Sequence, residues 1–460
     1  MIPYLKALLQ MFEATVETTT NQRYGMGAGL IKLMINRVRN SQLARNTFWM
    51  FLGQGLGVVI QALYFVLIAR SLHSQGYGAF VGVIALVSIL APFAGLGSGN
   101  LLIKNVARNE DSFRRCWGNA LLMVLISGVV LLFIILGLSR VVFPAAIPFA
   151  LVFVIAVTEL FFSRIHDISG QAFQAFQRMN RTAVLQFIPH VLKLIAIAGL
   201  TISIQAPTVL QWGYLYLFTT VISTLIGVRL VHKELGAPLF VPAGITAEVK
   251  EGFYFSVSFS ARGINNDIDK TMLSRFSTLE ATGIYGAAYR IINITFSPIL
   301  SLLYAAYARF FQHGAAGIRG SLGFALKLFP LAGCYGLAIG ILLVAASPLL
   351  PFILGAEYSN AANALRWLAP LPFLRAVQYF AGDTLTGAGF QGVRSSIQMF
   401  AALFNVVINL WLIPAYSWRG AAWASIASDG LLAVLLCLSL LYLQKNMALR
   451  KPGPTGVPCD

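Results

Sequence analysis

Four basic side chains lie deep inside long apolar segments of the sequence, where a charge is costly to place. Lys193, Arg262, Arg290 and Arg375 each lie roughly 12–20 Å from the nearer end of their segment, at the helical rise of about 1.5 Å per residue. At the centre of a bilayer each such charge costs about 3 kcal/mol, so it is expected to face other helices or water. Arginine offers a two-pronged donor to phosphate oxygens, and lysine offers a point charge. Together with Asn266, these residues predict a binding site for an anionic substrate.

Segment 252–274 is the most polar of these apolar segments. Five of its polar side chains fall within about 100° of one another on a helix: Ser258, Arg262, Asn265, Asn266 and Asp269. A polar stripe on a membrane helix is typical of a water-lined wall. The alternative is internal pairing, of Asp269 with Arg262 or with Arg290. The two interpretations are compatible if the pair opens during a functional cycle.

Acidic residues inside apolar segments are candidates for coupling to a proton or sodium gradient, because a coupling group must change its charge state. The candidates are Asp269, Glu159, Asp383 and Asp429, and for each the alternative is a satisfied structural hydrogen bond or a position at the end of a span. The four cysteines and five histidines have no spacing suited to a metal or a disulfide framework. No catalytic triad or nucleophile elbow is present in the sequence. The sequence therefore predicts no catalytic residues, no metal and no cofactor apart from a coupling ion.

The elements that must position these residues are membrane-spanning helices. Apolar residues make up 58% of the 460 residues, charged residues only 11%, and the mean hydropathy is +0.76. Uncharged runs of about 20 residues match a hydrocarbon core about 30 Å thick. We predict an all-α polytopic membrane protein with twelve spans, at 47–69, 78–103, 117–138, 143–163, 182–201, 208–228, 252–274, 283–308, 322–346, 362–386, 396–415 and 420–443.

The loop charges orient these spans. With the N-terminus in the cytoplasm, the inside segments hold 22 basic residues and the outside ends hold four: Arg70, Arg140, Arg275 and Arg419. Cytoplasmic retention of basic loops explains the net charge of +17, so nucleic acid is not expected as a partner. We predict that residues 1–46 are a cytoplasmic segment containing an interfacial amphipathic helix at 29–45, without a signal peptide. Residues 444–460 form a cytoplasmic tail.

An internal repeat divides the spans into two halves. Tyr77-Gly78-Ala79 opens the second span, and Tyr285-Gly286-Ala287 opens the eighth. Ala175-Phe176-Gln177 precedes the fifth span, as Gly389-Phe390-Gln391 precedes the eleventh. The order and spacing predict two parallel six-helix bundles, 47–228 and 252–443, joined by a cytoplasmic linker at 229–251. Substrate sites in such proteins lie near the midplane between the repeats.

Several motifs in residues 43–445 resemble the bacterial polysaccharide (O-antigen type) flippases of the multidrug/oligosaccharidyl-lipid/polysaccharide exporter superfamily. The similar stretches are Asn266-Asp267-Ile268-Asp269-Lys270-Thr271-Met272, Thr282-Gly283-Ile284-Tyr285-Gly286-Ala287-Ala288-Tyr289-Arg290, Leu354-Gly355-Ala356-Glu357-Tyr358, Asn405-Val406-Val407-Ile408-Asn409-Leu410-Trp411-Leu412-Ile413-Pro414 and Gly420-Ala421-Ala422-Trp423-Ala424.

The resemblance implies a V-shaped exporter fold in the bacterial inner membrane. It implies alternating access that moves an undecaprenyl-pyrophosphate-linked oligosaccharide from the inner to the outer leaflet, for surface polysaccharide biosynthesis. The partners implied are the lipid-linked oligosaccharide, membrane lipid, and the polysaccharide polymerase with its chain-length machinery. Proton or sodium gradients are the implied driving force.

Two other functions are weighed against this one. A cation-coupled multidrug exporter of the same superfamily would favour an acidic cavity, whereas the deep charges here are mostly basic. A membrane polysaccharide polymerase or ligase would need a long external loop bearing arginines or acids. No predicted outside loop exceeds about 16 residues, so an enzyme is not expected.

Overall fold

The computed structural model describes residues 42–241 and 245–449, and this part of the chain is helical without strands. The first half contains seven α-helices: α1 Gln42–Leu90, α2 Ser98–Arg108, α3 Phe113–Val142, α4 Phe149–Val157, α5 Arg164–Ala175, α6 Met179–Ser203 and α7 Val209–Glu234. The predicted amphipathic helix at 29–45 falls, except for its last four residues, outside the described residues. So does most of the predicted tail at 444–460.

The second half contains eight α-helices: α8 Ile245–Phe276, α9 Leu279–Gly314, α10 Ile318–Ala346, α11 Leu350–Leu354, α12 Ser359–Leu368, α13 Leu371–Gly387, α14 Gln391–Tyr416 and α15 Trp418–Leu449. Each predicted span falls on one or two of the described helices. The helical membrane architecture predicted from hydropathy is therefore confirmed.

Nine helical segments in the described part of the chain are long and apolar enough to cross a membrane. The first two predicted spans share one of these segments, Gly57–Phe93. Helix α8 is too highly charged to count among the nine, and the tenth predicted span is divided at Pro370 into the shorter helices α12 and α13. The number twelve therefore stays a prediction.

Two irregularities interrupt the long helices. Helix α1 bends at His73, whose φ of 57° lies in the left-handed region, so its parts before and after this residue are two helices joined by a kink. Between α4 and α5, Thr158–Ser163 form a π-helical turn that contains Glu159. Turns of this kind insert an extra residue into the helix and often occur at functional sites. The π-turn brings an acidic side chain into an otherwise apolar helix.

The two halves meet where α1 packs along α8 and α9. Glycines allow the closest approach: a Cβ added at Gly78 would lie 1.8 Å from the carbonyl oxygen of Leu279. One added at Gly283 would lie 2.0 Å from the carbonyl oxygen of Ser74. Small residues at such crossings let helix backbones pack in a membrane, where the hydrophobic effect supplies no drive between helices. The repeated Gly-containing segments of the sequence thus become the contact between the halves.

Large apolar side chains cover the outside of the helices. Phe133 and Val141 on α3 and Ile341 on α10 are each 70% or 71% exposed. A water-facing surface of this kind would be an aggregation liability, whereas a lipid-facing surface requires it. The exposed apolar surface agrees with a multi-pass membrane protein.

Candidate substrate-binding site

A cavity of about 340 Å³ lies between the two halves. From the first half, α1 contributes Gln61 and Tyr64, and α6 contributes His190 and Lys193. From the second half its lining includes Lys270, Tyr289, Arg290 and Asn293. We name this space the inter-half cavity. It brings together two of the predicted substrate-binding residues, Lys193 and Arg290.

Lys193 enters the inter-half cavity from α6. Its Nζ lies 4.1 Å from the ring centroid of Tyr216 on α7, a cation–π contact. The hydroxyl of Tyr216 donates a hydrogen bond of 2.5 Å to Oε1 of Glu159 on the π-helical turn. The carboxylate of Glu159 is therefore bound to the same ring that Lys193 contacts.

Arg290 reaches the same cavity from α9. Its NH2 atom donates to Oε1 of Gln61 at 3.0 Å, which is a contact between the halves. Nε2 of Gln61 lies 3.2 Å from Nε2 of His190. Among the described side chains, no carboxylate forms an ion pair with Arg290 or with Lys193. The inter-half cavity consequently holds two cations that form no ion pair with a described side chain.

Lys270 contributes a third cation to this cavity but is already paired. Its Nζ lies 2.8 Å from Oδ1 of Asp267 and 3.8 Å from the ring centroid of Tyr289. Asp267 also accepts a hydrogen bond of 3.2 Å from Ser88 of the first half. The Lys270–Asp267 pair adds no net charge to the site.

A second cavity, of about 260 Å³, lies within the second half, and we name it the C-half cavity. Its polar lining comes from α8, α9, α13 and α14 and includes Arg262, Asn265, Asn266, Asn293, Arg375, Gln378, Arg394 and Gln398. The remaining predicted substrate-binding residues, Arg262, Asn266 and Arg375, line this second cavity instead of the first. The predicted site is therefore divided between two spaces, which share Asn293 as a lining residue.

Arg375 is buried and fully engaged in the wall of the C-half cavity. Its Nε donates to Oδ2 of Asp429 at 3.3 Å, and its NH1 donates to Oδ1 of Asn293 at 2.9 Å. Its NH2 donates to the hydroxyl of Tyr289. Asp429 in turn accepts from Nδ2 of Asn265 at 3.3 Å. Arg375 thus holds α9, α13 and α15 together, in addition to lining the cavity.

Arg394 corrects one detail of the charge count. The sequence pattern places it in a cytoplasmic loop, whereas the structure places it in the first turn of α14, where it is buried. NH1 of Arg394 lies 2.8 Å from Oδ1 of Asp383, one of the predicted coupling residues, and donates to Thr386 at the same distance. The prediction failed because the helix begins at Gln391, five residues before the predicted span.

Asp269 is fully buried beside α9 and α15. It accepts hydrogen bonds from the hydroxyl of Tyr285, from Ser425 at 3.2 Å and from the backbone N–H of Lys270 at 2.7 Å. The predicted pairing of Asp269 with Arg262 or Arg290 is therefore wrong. The side chain of Asp269 contacts α9 and α15 and lines neither cavity. The predicted stripe therefore has a cavity-lining part, which contains Arg262, Asn265 and Asn266, and a buried part, which contains Asp269.

Arg262 is an exposed residue of the C-half cavity. Among the side chains that the structure describes, none forms a hydrogen bond or an ion pair with its guanidinium. It lies on the same wall as Asn265 and Asn266, as the polar stripe predicts. In the described part of the site, three cations thus form no ion pair: Lys193 and Arg290 in one cavity and Arg262 in the other.

Sequence reasoning missed the neutral polar residues of the site. Gln61, Asn293, Gln378 and Gln398 all line a cavity. Each is a carboxamide inside a predicted apolar span, and that unusual placement was a usable signal. No group of three or more His, Cys, Asp or Glu side chains within the described ranges is arranged to hold a metal ion.

A group of polar contacts joins the two halves at the end of the bundle where the predicted outside turns meet. We call its residues the outer cluster: Arg70, His73, Ser74, Glu357 and Tyr358. Glu357 accepts from Nδ1 of His73 at 2.6 Å and from N and Oγ of Ser74 at 3.0 Å each. Arg70 donates to the carbonyl oxygens of Ile353 and Phe352 at 2.6 and 2.7 Å. Partial burial alone would raise the pKa of Glu357, but the hydrogen bonds from Ser74 and His73 outweigh it and hold that pKa below its usual value.

Comparison with known proteins agrees with this architecture. Residues 43–312 match the model of a family described as "Polysaccharide biosynthesis protein". The chain is 22% identical over 421 residues to an Escherichia coli (strain K12) protein named "Putative O-antigen transporter", covering 88% of this chain and 98% of the relative.

Solved structures of MATE family transporters of the MOP superfamily share the fold. An inward-facing multidrug resistance transporter gives a TM-score of 0.70 at 15% identity, over 84% of this chain and 96% of the other. An outward-facing structure gives a TM-score of 0.59 at 16% identity, over 89% and 98% of the two chains.

The helices define a polytopic membrane protein that shares the fold of MATE family transporters. Since the matching model covers more than half of the sequence, the chain belongs to the polysaccharide biosynthesis protein family. The resemblance to polysaccharide flippases predicted from the sequence motifs is thereby confirmed.

Proposed function

We propose that this protein is a flippase that moves an undecaprenyl-pyrophosphate-linked oligosaccharide from the inner to the outer leaflet of the bacterial inner membrane. The proposal places both termini in the cytoplasm, as the loop charges predict. The name of the Escherichia coli relative supports O-antigen or a related surface polysaccharide as the product served. The polymerase that acts on the flipped unit and its chain-length machinery are the expected partners.

The observation that carries the proposal is that two cations of the inter-half cavity, Lys193 and Arg290, form no ion pair with a described side chain. Lys193 is backed by an aromatic ring and Arg290 by an amide. A pyrophosphate diester carries two negative charges, and each can be matched by one of these side chains. The apolar lipid tail can stay in the bilayer, which the exposed apolar helix surfaces contact.

Alternating access is supported by the way the halves are joined. The outer cluster links the turn after the first predicted span to the loop before α12 through hydrogen bonds between the halves. Opening that end would require these polar contacts to break and the buried apolar cluster shared by the two halves, which includes Leu72 and Leu354, to separate. We propose that the described conformation is closed to the outside.

A coupling ion would act through a carboxylate near the cavity. Of the candidates, Glu159 is best placed, because it is one hydrogen bond away from the ring on which Lys193 rests. Asp383 is occupied by Arg394 and Asp269 by Tyr285 and Ser425, arrangements that fit the structural alternative. Proton or sodium coupling through Glu159 stays a proposal.

The second candidate, export of cationic drugs, is disfavoured by the charge of the cavities. Asp267 is the only acidic residue among the described lining residues, and it is paired with Lys270. A cationic drug would meet the two unpaired cations and no free carboxylate. Deletion of the gene should leave drug susceptibility unchanged while surface polysaccharide is lost.

The experiment is complementation of a deletion strain by Lys193→Gln and Arg290→Gln variants. Both should reach the membrane at normal levels, fail to restore surface polysaccharide, and let lipid-linked sugar units accumulate inside. Lys327→Gln is the matched control, because Lys327 is exposed on α10 and lines neither cavity. Normal surface polysaccharide with both cavity variants would refute the proposal.

A further inference from the structure

The C-half cavity has a different chemical character from the inter-half cavity. Two of its three arginines are neutralised: Arg375 by Asp429, and Arg394 by Asp383 at 2.8 Å. Five carboxamide side chains share the lining with these pairs: Asn265, Asn266, Asn293, Gln378 and Gln398. Apart from Arg262, the polar side chains of this lining are carboxamides or ion-paired arginines, so they carry little net charge.

Such a lining suits a carbohydrate. Carboxamides can both donate hydrogen bonds to neighbouring hydroxyls and accept hydrogen bonds from them, and guanidinium groups can donate to them. The cavity also has aromatic walls, because the rings of Phe296 and Tyr379 lie 5.6 Å apart between centroids and both line it. Asn293 lines both cavities, so the C-half cavity is the neighbouring space for the part of the cargo next to a pyrophosphate bound by Lys193 and Arg290.

Arg262 is the third arginine of this lining, and unlike Arg375 and Arg394 it forms no ion pair with a described side chain. It is exposed to the cavity and has no described hydrogen-bond or ion-pair partner. In the proposed function, the pyrophosphate charges are matched by Lys193 and Arg290, which line the inter-half cavity. A third cation in the sugar-sized space therefore calls for a third negative charge, on the sugar part of the cargo.

We propose that the C-half cavity binds the glycan of the cargo and that Arg262 recognises a carboxylate on it, so the transported repeat unit contains an acidic sugar. This inference rests on the proposed flippase function and specifies its substrate class. Arg262 and a uronic acid carboxylate can form a two-pronged, charge-assisted hydrogen-bond pair. A neutral sugar at the same position would leave the guanidinium hydrated and gain nothing from it.

The test measures binding of two synthetic cargo analogues to the full-length protein in lipid nanodiscs. Both are short-chain lipid-pyrophosphate disaccharides, one ending in glucuronic acid and the other in glucose, so they differ only in a carboxylate against a hydroxymethyl group. Wild-type protein should bind the acidic analogue about tenfold more tightly, which corresponds to ~1.4 kcal/mol. Arg262→Gln should remove this preference and leave the affinity for the neutral analogue within about twofold.

Two further variants keep the outcomes separate. Arg262→Lys should retain part of the preference, because the charge remains while the two-pronged geometry is lost. Lys193→Gln should weaken both analogues equally. If Arg262→Gln also weakens both equally, or if wild-type protein shows no preference, the acidic-sugar inference is overturned while the flippase proposal stands. If wild-type protein binds neither analogue, the proposed function itself fails.

Discussion

Glu357→Gln removes the charge at the centre of the outer cluster with almost no change in size. The carboxylate accepts one hydrogen bond from His73 and two from Ser74. Hydrogen bonds to charged groups contribute about 1.5–3 kcal/mol each when buried. Here the side chains of His73 and Glu357 are 67% and 34% exposed, so solvent screening reduces that value. We expect the closed outer end to lose about 1–2 kcal/mol in total, a shift of about 5- to 30-fold towards the open state.

The assay is labelling of a single cysteine in the inter-half cavity by a membrane-impermeant maleimide added from outside. Ile84→Cys provides the target, in a background without the four native cysteines. Glu357→Gln should raise the labelling rate by the factor given above. Glu280→Gln is the matched control, because this exposed carboxylate lies at the start of α9, at the same end of the bundle, and has no ion pair among the described residues. An unchanged rate in Glu357→Gln, or an equal rise in both variants, would refute the reasoning.

Three other predictions concern Glu357, Gly283 and Arg375. Since the pKa of Glu357 is lowered in the closed state, the carboxylate stabilises that state fully above the usual glutamate pKa of about 4.3; that contribution is lost as the pH falls through the lowered pKa. Maleimide reacts with the thiolate, whose fraction falls with the pH. The labelling rate of Ile84→Cys, divided at each pH by that of a fully exposed cysteine, should therefore rise with acidification below about pH 4.3. This rise should be absent in Glu357→Gln. Gly283→Ala places a Cβ 2.0 Å from the Ser74 carbonyl oxygen, so it should force the halves apart and raise labelling at neutral pH, and a wild-type rate would contradict the close approach. Arg375→Gln leaves Asp429 buried without its partner, which should destabilise the protein by about 3–5 kcal/mol in thermal unfolding; the double variant with Asp429→Asn should recover much of that loss, and no recovery would show that the pair does not act as a unit.

Hydropathy and loop charge predicted the fold to a useful level, because lipid imposes length and polarity on every spanning helix. Each predicted span falls on described helices. The boundaries failed where a polar residue extends a helix beyond its apolar part, as at Arg394 in α14. The π-turn around Glu159 and the left-handed bend at His73 also escaped prediction, since neither leaves a pattern in hydropathy.

The candidate site was predicted in residue type but not in arrangement. The cost of buried charge identified Lys193, Arg262, Arg290 and Arg375, and all four line a cavity. Which of them are paired could not be predicted, because pairing depends on side chains distant in sequence. Asp429 lies 54 positions from Arg375 and neutralises it, whereas no described acid does so for Arg262. The division into a charged cavity and an amide-rich one emerges only from this pairing.

The most direct test of the central claim is flipping of a fluorescent undecaprenyl-pyrophosphate-linked oligosaccharide in proteoliposomes that contain the purified protein. Wild-type protein should expose the inner-leaflet label to an external quencher. Arg290→Gln should reduce the initial rate at least about fivefold, because loss of one charge contact with the pyrophosphate removes roughly 1–4 kcal/mol. The Lys327→Gln control should flip at the wild-type rate. Equal rates in wild-type and Arg290→Gln vesicles would contradict a cationic pathway through the inter-half cavity.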